Sequence, residues 1–174
     1  MNTLVVAALG PDRPGIIAGI TEVLLREHGN LEDSAMTILH DQFTMTMVVT
    51  TPASLDQVRA DLGAVAERLG LVVSVREVAR HAQGIEGEPF MVRVHGADRP
   101  GLVHDVTALL ATHDINVTDL ATRLVGTAAP TYVMHVHCDI PTAVDVERVR
   151  LALSALATER GIHATLQPAE SDEL

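Results

Sequence analysis

Apolar and polar positions change period several times along the 174-residue chain, and each period predicts an element. Residues 4–9 form a short continuous apolar run, the pattern of a buried strand. Beyond a turn rich in Gly and Pro, Ile16, Ile17, Ile20, Val23 and Leu24 recur at helical spacing and define one buried face. Gly29 is placed to end that helix. Residues 30–39 read as a second strand, and His40-Asp41-Gln42 as a short hairpin connection. In residues 43–49, Phe43, Met45, Met47 and Val49 alternate with Thr44 and Thr46, as a strand with one buried face requires. Pro52 breaks this strand. Leu55, Val58, Leu62, Val65 and Leu69 then predict a second helix, Gly70 its stop, and residues 71–78 a fourth strand. Residues 1–79 therefore read β-α-β-β-α-β.

The pattern then repeats. Residues 80–88 lose all periodicity and read as a linker. The turn Gly10-Pro11-Asp12-Arg13-Pro14-Gly15 returns as Gly96-Ala97-Asp98-Arg99-Pro100-Gly101, and 9 of 24 positions are identical between residues 10–33 and 96–119. Leu102, Val103, Val106, Leu109 and Leu110 repeat the helical face. The offset grows downstream because the hairpin at 125–130 is longer; Gly70 then matches Gly161. Residues 89–168 form the second unit, and 169–174 an acidic tail expected to be flexible. The predicted class is α+β: two tandem ferredoxin-like units, each an antiparallel four-stranded sheet with both helices on one face. Their bare sheet edges favour pairing between units, within or between chains, and a homodimer is expected.

Composition narrows the function. The chain is 47% hydrophobic but has no Trp, one Tyr (Tyr132) and two Phe (Phe43, Phe90), so the core must be aliphatic. Scarce aromatics and a formal charge of -11 remove the stacking platforms and basic footprint that direct nucleic-acid binding needs. A single cysteine, Cys138, excludes an internal disulfide, suits a reducing compartment, and packs as a small apolar residue. No apolar run reaches the roughly 20 residues of a membrane span. The N-terminus enters a strand pattern at once, without the charged segment of a secretion signal. A cytoplasmic protein is expected, with no membrane partner. Nucleophile elbows, Walker loops and dinucleotide fingerprints are absent from the sequence.

The repeated turn is the candidate site. Gly10 and Gly15 let a backbone approach a ligand closely, and the helix start offers N–H groups to an anion. Asp12 is placed to cap that helix. Downstream of each turn stand an Asn and an Asp at one spacing, Asn30 with Asp33 and Asn116 with Asp119. A carboxylate on helix N–H groups with an ammonium on Asn and Asp describes a free amino acid. The same residues serve equally as a cap, a local ion pair and turn formers, and the pattern alone leaves both readings open.

Gly-x-Asp-Arg-Pro-Gly followed by Asn-x-x-Asp on this frame resembles the ACT domain family, over essentially the whole chain and twice. The resemblance implies a non-enzymatic regulatory protein that binds an amino acid where paired units meet. There the turn of one unit faces the start of the second strand of another. Carried onto this chain, it singles out Asp12, Arg13, Gly15, Ile16, Asn30 and Asp33, then Asp98, Arg99, Gly101, Leu102, Asn116 and Asp119. Ala97 in place of Pro11, and Asp114-Ile115 in place of His28-Gly29, make the two copies unequal. The first copy, through Asn30-Leu31-Glu32-Asp33-Ser34 and Gln42-Phe43-Thr44-Met45, is similar to regulators of the glycine-cleavage type. That implies glycine or serine as first candidates, control of transcription through a protein partner such as a transcription factor, and no cofactor. A regulatory subunit acting in trans on an amino-acid enzyme is the alternative. A small metal-dependent enzyme is the third reading, since His95, His135 and His137 can share an open sheet face. Arg93 on that face would repel a cation, so a polar or interfacial face is expected there and no metal ligand is assigned. His104-Asp105 reads as a solvated pair.

Overall fold

Each predicted period becomes the expected element. In the computed structural model, which describes residues 1–79, 87–127 and 130–169, the first half runs β1 (Asn2–Pro11), α1 (Ile16–Arg26), β2 (Asn30–Leu39), β3 (Gln42–Thr51), α2 (Leu55–Leu69) and β4 (Val72–Glu77). The second half runs β5 (Glu88–Ala97), α3 (Leu102–Ala111), β6 (Asn116–Val125), β7 (Thr131–Ile140), α4 (Val146–Arg160) and β8 (Ile162–Pro168). The strands form two antiparallel sheets of order β2-β3-β1-β4 and β6-β7-β5-β8. The chain divides into two compact units, 1–82 and 83–174. The linker expected at 80–88 and the tail at 169–174 lie, apart from residues 87, 88 and 169, outside the described residues, as do Ala128 and Ala129 of the longer hairpin.

Alternation decides which face of each sheet is buried. Leu4, Val6 and Ala8 of β1 and Met45, Met47 and Val49 of β3 pack under Ile20, Val23 and Leu62 of the helices. Val92, Val94, Met134 and Val136 pack with Val106, Leu110 and Leu153 in the second unit. Each fully buried aliphatic side chain contributes roughly 1.5–3 kcal/mol, and many small contributions replace the few large aromatic ones. The helix pairs meet differently in the two units. A Cβ on Gly19 of α1 would lie 3.2 Å from Leu69 Cδ1 of α2, whereas the equivalent positions of α3 and α4 hold Asp105 and Arg160, joined at 2.8 Å. His104 is exposed, as the sequence reading expects, but Asp105 is not solvated: its carboxylate ties α3 to α4.

Four details depart from the sequence reading. β1 continues through Gly10 and Pro11, so the turn proper is residues 12–15. α1 ends at Arg26, and the left-handed residue beyond it is His28 (φ 51), matched by Asp114 (φ 55), rather than Gly29. Gly29 is needed for closeness instead: its N–H donates to Leu24 O at 2.7 Å, and a Cβ there would lie 3.1 Å from Val49 Cγ1. Ile17 is 43% exposed and not part of the buried face. The first hairpin is a two-residue turn, since Leu39 pairs with Gln42.

His40 (φ 48) and Asp41 (φ 60) both sit left-handed in that turn, the requirement of type I′ geometry, which favours Gly at the second position. Asp41→Gly is therefore expected to raise the unfolding free energy by about 0.5–1 kcal/mol, read as a higher denaturant midpoint at unchanged slope.

Candidate functional site

At the end of β1 the chain turns at residues 12–15 and starts α1 from Gly15, which is left-handed (φ 93) and contributes no side-chain cap. The Asp12 side chain does not cap the helix; its backbone N–H donates to Asp41 O at 2.8 Å, fixing the turn against the hairpin. Gly19 is the residue whose N–H closes back on Gly15 O, at 2.9 Å, so helix geometry leaves the N–H groups of Ile16, Ile17 and Ala18 without intrahelical partners. These three residues line a cavity of about 250 Å³ that also takes in Asp12, Arg13, Met36, Ile38 and Phe43. Uncapped N–H groups and the positive helix end make this an anion-ready site with an apolar side. Met36 and Ile38 are half-exposed residues of β2 that sequence reasoning missed. The apolar alternation within β2 was the available signal.

Arg13 of the turn and Gly10 at the end of β1 do work inside the fold. Arg13 reaches away from the helix start: its Nη2 donates to Arg68 O at 3.2 Å, at the last turn of α2, where a cation complements the helix dipole. Arg99 occupies the equivalent place, its Nη2 near Gly161 at the end of α4. Gly10 makes room for its own chain rather than for a ligand. A Cβ there would fall 2.7 Å from Leu71 Cδ2 and 2.8 Å from Gly70 O, and one on Gly96 would fall 2.7 Å from Ile162 Cγ2.

The Asn-x-x-Asp pair sits elsewhere in the unit. Asn30 pairs with Thr50 at the far end of β3, whereas the turn is level with Gln42. Eight residues of strand, roughly 27 Å at 3.4 Å each, separate them. A three-residue spacing would put Asn30 and Asp33 on opposite faces of a regular strand. A bulge at Glu32 prevents this, because Leu31 pairs with Val49 and Asp33 with Val48. Asn30 and Asp33 thereby share the open side of the sheet, with Asp33 bordering a shallow cavity of about 120 Å³ beside Ala35 and Val48. The second unit repeats the device: Val117 pairs with Cys138 and Asp119 with His137, leaving Thr118 as the extra residue and Asn116 on the side of Asp119.

The second turn repeats the first in backbone. Gly101 is left-handed (φ 95), Asp105 N–H closes on Gly101 O at 2.9 Å, and Leu102 is buried beneath it. Asp98 and Arg99 occupy the places of Asp12 and Arg13. His135 and His137 do share the open face with Arg93 and His95, as the alternation predicts. Among the described residues, no group of three or more His, Cys, Asp or Glu side chains is placed to hold a metal ion. Burial, with a smaller push from Asp139, raises the Cys138 thiol to about 11, the environment of a packing residue rather than a nucleophile. No helix among the described residues is long and apolar enough to cross a membrane.

Comparison with known proteins places the fold. Two ACT domain models match, over residues 2–76 and 90–154. Across 161 residues, 90% of this chain and 84% of the relative, the sequence is 29% identical to the glycine cleavage system transcriptional repressor of Escherichia coli K12. A crystal structure of an unknown protein from Galdieria sulphuraria shares the fold with a TM-score of 0.86 at 25% identity, covering 97% of this chain and 99% of that one. A second crystal structure, of a candidate glycine cleavage system transcriptional repressor, gives 0.77 at 20% identity over 98% of each chain. The two family models and the two βαββαβ sheets agree: the chain belongs to the ACT domain family and carries two of its units in tandem.

Proposed function

We propose that the protein is a non-enzymatic, amino-acid-responsive regulator that acts in the cytoplasm through a protein partner. The observation that carries this is the uncapped helix start opening into a cavity beside Met36 and Ile38. In one unit the helix start and the Asn30–Asp33 pair lie at opposite ends of the sheet, so the amino-acid site is completed by a second copy of the chain. The turn supplies N–H groups to the carboxylate, and Asn30 and Asp33 of that second copy receive the ammonium. Binding that requires two copies couples ligand to their association, and hence to the surface a partner meets. Similarity to a transcriptional repressor supports control of transcription in an amino-acid pathway. The charge of -11 suits action through a transcription factor rather than on DNA.

Glycine or serine is expected to raise the melting temperature. A ligand at a hundred times its Kd adds about 2.7 kcal/mol. Asn30→Ala, on an exposed strand end, should abolish that gain while leaving the unliganded melting temperature in place. If none of the twenty amino acids shifts the melting temperature at millimolar concentration, the sensing role is excluded.

A further inference from the structure

The open face of the second sheet differs from that of the first in a way the shared fold does not require. The first sheet presents Ala7, Leu9, Thr37, Thr46, Val48 and Val72 there. At the corresponding register positions the second presents Arg93, His95, Arg123, His135, His137 and His163. The chain has 12 arginines, no lysine and 9 histidines against 23 acidic residues, so this concentration of guanidinium and imidazole runs against the overall charge. Two adjacent rows cross the sheet: Arg123, Val133, His95 and His163, then Ala121, His135, Arg93 and Thr165. Neither row contains a carboxylate. Asp119 enters in the next row, opposite His137.

These groups are not satisfied by one another. His95 and His163 stack, with ring centroids 4.9 Å apart, and Arg93 Nε donates to the weakly accepting Met91 Sδ at 3.1 Å. Arg123 makes no ion pair among the described residues. Beside it lies a cavity of about 390 Å³ lined by Ala121, Arg123, Val125, Val133 and His135, a size within the range of small-molecule sites. Three aliphatic side chains line it, and a guanidinium and an imidazole supply its polar groups. An arginine fork suits the planar or tetrahedral head of an oxyanion, and a low-dielectric floor strengthens that attraction.

We propose that this cavity binds a small oxyanion with a short aliphatic body, a carboxylate or a phosphate monoester. The head sits on Arg123 and His135, and the chain lies over Ala121, Val125 and Val133. The site is separate from the turn and independent of the amino-acid reading. Arg93 and Arg123 disfavour an ammonium, so an acid without one is the better ligand.

Amide chemical shifts of the full chain, titrated with 3-methylbutanoate and with butyl phosphate, test this. Saturable shifts at residues 121–125 and 133–135 are expected from at least one acid, and the stronger of the two identifies the preferred head group. Neutral 3-methylbutanamide should bind at least about tenfold more weakly, a difference of about 1.4 kcal/mol. Arg123→Gln, at an exposed position, should weaken the acid by a similar factor at unchanged melting temperature. Absence of saturation by both acids at millimolar concentration overturns the proposal. So does equal binding by the amide or by the variant, and so do shifts confined to residues 12–18, which would assign the probes to the turn.

Discussion

Replacing Phe43 by alanine should lower the unfolding free energy of the first unit by about 3–5 kcal/mol, the range for deleting a buried aromatic side chain. Phe43 is 2% exposed and is the one aromatic residue of its core. It pairs with Gly10 and borders the cavity under the helix start, so the substitution leaves a void where the turn is supported. The two units have separate core clusters, and the loss should therefore appear as an earlier first transition in chemical denaturation, with the second unit's transition in place. Phe43→Leu keeps most of the volume and should cost less than about 1.5 kcal/mol. A single transition shifted as a whole would instead show that the two units unfold together.

The order of elements was legible because each has a clear period or a clear stop. Phe43, Met45, Met47 and Val49 alternate at period two as a strand does, and Pro52, Gly70 and Gly161 mark boundaries the structure keeps. The roles of single residues inside the turn were less legible, because they depend on neighbours distant in sequence. Nothing adjacent to Arg13 shows that its partner is the carbonyl of Arg68. Nothing near Gly10 shows that Leu71 crosses it. The bulge is harder still. Leu31-Glu32-Asp33-Ser34 carries no glycine and no break in pattern, yet the extra residue at Glu32 puts Asn30 and Asp33 on one side. The repeat held a usable clue: Asn-x-x-Asp occurs twice, at a spacing a regular strand would split between its faces. Comparison of the two copies shows where the fold tolerates exchange, as when Gly19 against Leu69 becomes Asp105 against Arg160.

Gly10→Ala and Gly15→Ala should separate the structural glycine of the turn from the one that shapes the helix start. At Gly10 the new Cβ would lie 2.8 Å from a backbone oxygen, that of Gly70, and 2.7 Å from Leu71 Cδ2. Leu71 can rotate, but the carbonyl moves only if the end of α2 moves with it, so a loss of about 2–3 kcal/mol is expected, in the upper part of the overpacking range. At Gly15 a Cβ meets nothing within 4 Å, and the strain is conformational alone, from φ +93. That places the cost at about 1–2 kcal/mol. Both variants are read as denaturant midpoints, followed by the response to glycine and serine. Gly10→Ala that still folds should keep a ligand-induced rise in melting temperature, because its Cβ points into the chain's own packing. Gly15→Ala should lose that rise, because relaxing φ turns the N–H groups of Ile16 and Ile17 away from the cavity. Equal retention of the ligand response in both variants would move the amino-acid site away from the helix start.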